Sequence, residues 1–488
     1  MDNPKTTQKS FFSNFVWKFA EHFSAQLIST IISIILARIL MPEDYGIIAI
    51  VMIFINLANV FVSDGLGSAL IQKKDATELD FFSVLYFNII FSIALYGALF
   101  FAAPFITAFY GSGYEILTPV LRVLGLRIIL TSVNSVQHAY VSKKMIFKVF
   151  FISSLCGTVV SAVVGLALAY NGFGVWALVA QYLTGAAINT LVLIIVLRKR
   201  PRLMFSLKSL KELFPYGICI LGTGLLITGY QDIRALIIGK VYSTADLAYY
   251  DKSRHFPSLI VSNISVSLSA VLFPKMSNEQ RSIEKVRMYT QNSICFCSYI
   301  LCPIMLGMAA VAKPFVILLL TDKWMSCIPL LQLFCLVYLF QPMHTANMQA
   351  IKAIGRGDVY MRLEIVKKVL ELIVLFITIP FGVTAIVIGM VVCATLATFI
   401  NAYPNIKFLQ YGFKEQMVDI FPNLLLSAIM FAVVYLLNYL QISNALLLLL
   451  QVVCGVLVYV VLSAITKNRS FFQIIGLLKS YFSKKHQN

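Results

Sequence analysis

Long apolar stretches alternate with short polar ones along almost the whole chain. A helix needs about twenty mostly apolar residues to cross a bilayer core, and about fourteen stretches reach or approach that length. The first six lie at 13–38, 45–64, 81–110, 116–141, 146–170 and 173–197. The next six lie at 212–240, 245–274, 288–320, 325–352, 359–381 and 383–406, and the last two at 418–440 and 445–466. The stretches at 245–274 and 359–381 carry several charges and depart furthest from an ordinary span. Lipid offers the backbone no water to bond, so each stretch is predicted to be helical. The expected fold class is therefore an all-α integral membrane protein.

Lys and Arg occupy every second gap between these stretches: Lys73 and Lys74; Lys143, Lys144 and Lys148; Arg198 through Lys211; Lys275 through Arg287; Lys352, Arg356 and Arg362; Lys407 and Lys414; and the tail from Lys467. The alternate gaps hold only Arg38, Lys240 and Lys323. This bias predicts that both termini are cytoplasmic, which requires an even number of spans. It also accounts for most of the net charge of +18, which faces anionic headgroups and does not point to nucleic acid. The opening MDNPKTTQKS leads into a long span without the short apolar core of a signal peptide, so no cleaved leader is expected. The nine Cys fall mostly within spans and form no C-x-x-C pair. They read as small apolar residues, not as disulfides or metal ligands.

The chain repeats itself weakly. Ile39–Tyr45 resembles Val241–Leu247, and Ser68-Ala69-Leu70 resembles Ser269-Ala270-Val271. Pro104-Phe105 with Pro119 matches Pro314-Phe315 with Pro329, and Gly174 matches Gly382. An even number of spans per repeat makes the halves parallel, as in many transporters. The expected organisation is an N-lobe at 1–197, a basic cytoplasmic linker at 198–211 and a C-lobe at 212–406. Two added spans at 407–466 and a basic amphipathic cytoplasmic tail at 467–488 follow.

Charges inside the spans supply the candidate chemistry. Each costs about 2.5–3.5 kcal/mol at a helix centre, so most are expected to face one another or a wet space. Lys18, Glu21 and His22 sit at i, i+3, i+4. Arg127, Thr131, Asn134 and His138 share a face. Lys252, His255, Ser258, Ser262, Ser265 and Ser269 form a stripe, with Arg254 beside it. Asp232 and Arg234 are two apart, cannot face each other, and each need another partner. Glu364 with Lys368, and Lys367 with Glu371, have i, i+4 spacing that suits either a cavity wall or a buried ionic lock. Arg122 lies near a span end and is ambiguous. The candidate cavity set is Lys18, Glu21, His22, Arg127, Asp232, Arg234, Lys252, Arg254, His255, Lys367 and Lys368. Cations outnumber anions within the spans, which suits an anionic cargo group such as phosphate.

No P-loop, H-E-x-x-H or G-x-S-x-G occurs, and no loop is long enough for a soluble catalytic domain. The expectation is a transporter and not an enzyme. Several segments carry a family resemblance: Leu36–Leu40 with Pro42-Glu43-Asp44-Tyr45-Gly46; Asp64–Gln72; Asp232 with Ile237–Lys240; Tyr249-Tyr250; and Gln349–Asp358 leading into Lys367-Lys368. Over roughly 10–460 the chain resembles the Wzx-type lipid-linked oligosaccharide flippases of the multidrug/oligosaccharidyl-lipid/polysaccharide exporter superfamily, particularly the colanic-acid and teichuronic-acid branch. The resemblance implies two six-helix lobes around a central cavity, two further helices, and alternating access without ATP in the bacterial inner membrane. The implied cargo is an undecaprenyl-diphosphate-linked oligosaccharide, with a polymerase and export machinery as further partners. It implies no cofactor, and leaves H⁺ or Na⁺ coupling open. Two other readings are an ion-coupled small-molecule exporter of the same superfamily, which predicts an acid-dominated cavity, and a membrane polysaccharide polymerase, which predicts a long outer loop.

Overall fold

The computed structural model describes residues 26–73, 75–144, 146–197, 203–473 and 475–476. These residues form helices and turns, with no strand among them. In order they are α1 (Gln26–Ile39), α2 (Pro42–Asn59), α3 (Gly65–Gln72), α4 (Glu78–Tyr110), α5 (Leu117–Lys144), α6 (Phe147–Tyr170), α7 (Val175–Leu197) and α8 (Leu207–Val241). Then come α9 (Thr244–Asn278), α10 (Ile283–Ala310), α11 (Ala312–Leu320), α12 (Cys327–Tyr338), α13 (Gln341–Ala353), α14 (Gly357–Thr378), α15 (Val383–Leu409), α16 (Phe413–Leu436) and α17 (Asn444–Ile465). The chain groups into two compact units, residues up to Ala248 and residues from Tyr249.

Among the described residues, eleven helical segments are long and apolar enough to cross a membrane, so the expected count of fourteen is not reached on that measure. The other three expected spans are the first, described only from Gln26, and the charged pair α9 and α14. Those two have 35 and 22 residues, enough for a ~30 Å core at about 1.5 Å per residue. Their charges, not their lengths, set them apart.

Some expected spans are broken. The stretch 288–320 ends as α10 at Val311 and resumes as α11, and 325–352 divides into α12 and α13 at Leu339–Phe340, with Pro342 in the first turn of α13. Between α2 and α3 the backbone widens into a π-helical turn at Val60–Asp64. Such turns release carbonyls from the regular ladder. The Val62 carbonyl accepts from Asn88 Nδ2 at 3.1 Å and from Ser135 Oγ at 3.4 Å, which explains a fully buried asparagine on α4.

Proline has no N–H, so inside a helix it strands the carbonyl four residues earlier. Pro104 strands Phe100, and Arg122 Nε of α5 bonds that carbonyl at 3.3 Å while its guanidinium lies 4.3 Å from the Phe100 ring. Pro303 strands Tyr299, whose carbonyl takes the Tyr459 hydroxyl of α17 at 2.8 Å. The Ala310 carbonyl, free at the C-terminal end of α10, takes Asn438 Nδ2 at 3.1 Å. The ambiguous Arg122 thus has a structural partner. Helix α17 is fastened to α10 by a carbonyl that proline released, and Asn438, just after α16, by one free at the end of α10.

Several of the matched positions do matched local work. Asp44 accepts from the Met41 backbone at 3.1 Å, and Asp246 accepts from the Ser243 backbone at 3.3 Å, each closing the N-terminus of its helix. Gly174 and Gly382 both have positive φ, +53° and +100°, where a side chain would be strained. A Cβ on Gly46 would lie 1.9 Å from the Thr244 carbonyl oxygen, so the glycine lets the starts of α2 and α9 touch backbone to backbone.

In the first unit, α8 packs along α2, α3 and α4. Its end near the basic linker is held by Lys73, which bonds Asp80 and Glu212, each at 3.0 Å. Partial burial alone would lower the Lys73 ammonium, but the two carboxylates outweigh it and hold its pKa above the ordinary lysine value. In the second unit, α10 packs against α12, α13 and α16. There Asn347 Nδ2 donates to Gln416 Oε1 at 2.8 Å, and Asn347 Oδ1 accepts from Asn405 at 2.7 Å and Gln416 at 3.0 Å. All three amides are buried. Outward faces such as Leu449, Val456 and Leu457 of α17 stay exposed, as suits contact with lipid.

Candidate functional site

The polar stripes on the second unit's helices meet in one cleft of about 410 Å³. Helix α9 contributes Ser265 and Ser269, one turn apart. The break before Gln341 starts α13 on a fresh register, placing Gln341, His344, Thr345, Gln349 and Lys352 along one face at three- and four-residue steps. Helix α14 adds Tyr360, Glu364 and Lys367 at i, i+4, i+7.

The walls are cross-linked. Thr345 Oγ1 reaches Ser265 Oγ at 3.4 Å, and Gln349 Nε2 donates to Ser269 Oγ at 2.9 Å. His344 Nδ1 lies 2.9 Å from Asn401 Nδ2 on α15. Lys367 pairs with Glu364 at 2.7 Å, and Lys352 lies 4.1 Å from the centre of the Tyr360 ring. Most lining groups are neutral donors and acceptors, and the charges present are two cations against one carboxylate. Such a surface can hydrogen-bond a polyhydroxylated ligand and hold a modest negative charge.

On α14 each lysine pairs at the shorter helical spacing. Lys367 bonds Glu364 and Lys368 bonds Glu371 at 3.6 Å, both at i, i+3. On a helix both spacings are within reach, and pairing towards Glu364 turns Lys367 into the cleft. Lys368 is not among the lining residues. The α9 stripe also divides. Lys252 lies thirteen residues before Ser265, about 20 Å along the helix axis. It is 8% exposed and sits 5.9 Å from the centre of the fully buried Trp324 ring. Arg254 bonds Asp251 at 3.2 Å and lies 5.8 Å from the Tyr250 ring. His255 packs edge-on to Phe256. These three sit near the other end of α9, away from the serines.

The first unit holds the remaining candidates separately. Arg127 Nη1 lies 3.5 Å from Met52 Sδ, with its guanidinium 5.4 Å from the Tyr182 ring. Arg234, expected to need a partner other than Asp232, finds one on its own helix: Nη2 donates to the Tyr230 hydroxyl at 3.0 Å, one turn back. Asp232 is partly buried on the same helix. Lys18, Glu21 and His22 lie outside the described residues. Among the described residues no three or more His, Cys, Asp or Glu side chains gather as metal ligands.

The polar face of α13 is the feature that sequence reading passed over. Gln341, Thr345 and Gln349 repeat every four residues, a visible signal, but they lie in an apolar stretch read as a plain span. Lys352 reads as a loop cation in the sequence, yet it stands at the cleft.

A model of the family described as "Polysaccharide biosynthesis protein" matches residues 35–329. The succinoglycan biosynthesis transport protein ExoT of Rhizobium meliloti (strain 1021) is 26% identical over 67% of this chain and 65% of its own length, so this match spans slightly less than two thirds of that relative. The lipopolysaccharide biosynthesis protein WzxC of Escherichia coli (strain K12) is 23% identical over 76% of each chain. Among solved structures, "Lipid II flippase MurJ, inward closed conformation" superposes with a TM-score of 0.73 over 93% of this chain and 98% of that one, at 16% identity, a likeness of fold. With more than half its length matched, this multi-pass membrane protein belongs to the polysaccharide biosynthesis protein family.

Proposed function

We propose that this protein is a flippase that moves undecaprenyl-diphosphate-linked oligosaccharide repeat units from the inner to the outer leaflet of the bacterial cytoplasmic membrane by alternating access, with both termini in the cytoplasm. The observation that carries the reading is the α9–α13–α14 cleft, a polar wall inside a protein that is otherwise made of membrane-crossing helices. A saccharide offers many hydroxyls and little charge, and the lining offers hydroxyls, amides, an aromatic ring and a small cationic excess. The family, the names of the two relatives and the fold shared with a lipid II flippase support the same reading. The one-sided distribution of basic loops supports the orientation.

The test is to purify the protein from its own cells, extract what it holds and identify it by mass spectrometry. A prenyl-diphosphate-linked saccharide is the expected finding, with repeat units accumulating on the cytoplasmic leaflet when the gene is deleted. A preparation free of such lipids, together with undiminished surface polysaccharide in the deletion strain, refutes the proposal.

A further inference from the structure

A second polar cavity, of about 370 Å³, lies at the end of α17, between that end and the first turns of α16. Its lining includes Asp419, Asn423, Thr466, Lys467, Arg469 and Ser470. The saccharide cleft does not involve it, and it belongs to the second unit alone.

The segment is built rather than frayed. Asn468 Nδ2 donates to Asn423 Oδ1 at 2.9 Å, while Asn468 Oδ1 accepts from the backbone N–H of Ser470 at 3.0 Å and of Phe471 at 3.3 Å. The Ser470 hydroxyl donates to the Cys295 carbonyl at 3.3 Å. Asn468 and Ser470 are both buried. The residues between and beside them, Lys467 and Arg469, are exposed, so the fold pins the backbone and presents the cations.

Lys467 has φ +50°. That conformation is unfavourable for a residue with a Cβ and is usually given to glycine at a helix end. The lysine is not needed to finish the helix. Asn468 N donates to the Ser463 carbonyl at 3.0 Å and Lys467 N to the Ala464 carbonyl at 3.2 Å, so backbone groups already close α17. Among the described residues no carboxylate pairs with Lys467 or Arg469. Arg469 has a single long contact, to Asn292 Oδ1 at 3.4 Å. The one acid in the wall, Asp419, is held from behind by the Tyr411 hydroxyl at 2.7 Å and Gln291 Nε2 at 2.8 Å.

We infer that this cavity binds a phosphate group, with Lys467 and Arg469 as its cationic ligands. Arg and Lys together offer a fork and a movable point charge to such an anion. The end of a membrane helix lies at headgroup depth, so the natural source is the phosphodiester of an anionic membrane lipid, and free phosphate is the other.

The experiment uses the full-length protein in nanodiscs of phosphatidylcholine, with phosphatidylglycerol or inorganic phosphate added in separate arms. Retained lipid is counted by native mass spectrometry and the melting temperature is followed. Phosphatidylglycerol is expected to be retained and to raise the melting temperature. Each of Lys467→Gln and Arg469→Gln should weaken that retention about fivefold, and the double variant about twenty-five-fold. Lys467→Gly is the control for folding. It removes the strained conformation together with the charge, so it should melt no lower than wild type in phosphatidylcholine alone while losing the same fivefold. A melting shift in the inorganic phosphate arm makes free phosphate the source and keeps the site. Equal retention and equal shifts in wild type and all variants overturn the inference.

Discussion

Replacing Arg122 with methionine should destabilise the protein, and replacing Pro104 with alanine beforehand should remove most of that loss. Arg122 Nε supplies the hydrogen bond that Pro104 denies to the Phe100 carbonyl. A hydrogen bond to a charged group contributes about 1.5–3 kcal/mol, and a cation 4.3 Å from a ring adds about 0.5–1 kcal/mol. Measured interhelical hydrogen bonds in membranes fall lower, averaging about 0.6 kcal/mol and reaching about 1.7. Arg122→Met in the wild-type background should therefore cost about 1.5–3 kcal/mol. In Pro104→Ala the new N–H at 104 bonds Phe100 itself, so the same arginine change should cost only the ring contact, about 0.5–1 kcal/mol. The coupling in the double-mutant cycle is then about 1–2 kcal/mol. Reversible unfolding in mixed micelles measures all corners of the cycle. Additivity within ~0.3 kcal/mol would mean that the arginine does not serve the proline-stranded carbonyl, and the reasoning fails.

Gly46→Ala should sharply reduce folded protein, because the new methyl meets the Thr244 backbone, which has no rotamer to escape into; a fluorescence-detected size-exclusion profile of the variant reads this directly. Asn347→Leu should cost about 2–4 kcal/mol by leaving the buried amides of Asn405 and Gln416 short of a partner, seen as a lower unfolding midpoint with unchanged helix content. Lys367→Gln should cut the surface polysaccharide restored to a deletion strain about tenfold while Lys368→Gln leaves it near wild type, since of the two only Lys367 lines the cleft. The Lys73 bonds to Asp80 and Glu212 should contribute fully below the ordinary lysine pKa of about 10.4 and fade as pH rises through the higher folded value. Unfolding followed between pH 8 and 11 should therefore show a decline that Lys73→Met lacks.

The helical membrane architecture was legible because burying a backbone in lipid demands length and apolarity, and both can be counted on the page. The matched positions have a local basis. Asp44 and Asp246 are short-range caps, and Gly174 and Gly382 answer local backbone demands, so each leaves its mark in a few adjacent letters. The breaks were not legible. Pro104 sits within a continuous helix and Pro314 follows a break, although both stand in apolar runs. The partners of the Phe100 and Ala310 carbonyls, Arg122 and Asn438, are distant in sequence. The cleft was half legible. The α9 serines and the α14 ions stand out in the sequence, yet their meeting through α13 depends on a change of helix register at Leu339–Phe340. Ion-pair choice between i+3 and i+4 was open for the same reason, since local spacing allows both and the surroundings of Lys367 select one.

The side chains that answer the stranded carbonyls have a mechanical consequence. A carbonyl oxygen accepts from a narrow range of positions, so a bond such as Tyr459 to Tyr299 acts as a bolt set at one height along a helix. Sliding one helix past the other by a turn, about 5.4 Å, would shear it off. The pairs bolted in this way, α4 with α5 and α10 with α17, are therefore expected to travel as solid blocks. The rearrangement that alternating access requires falls to contacts without such bolts, such as the cleft face of α9, where Ser265 and Ser269 meet Thr345 and Gln349 side chain to side chain.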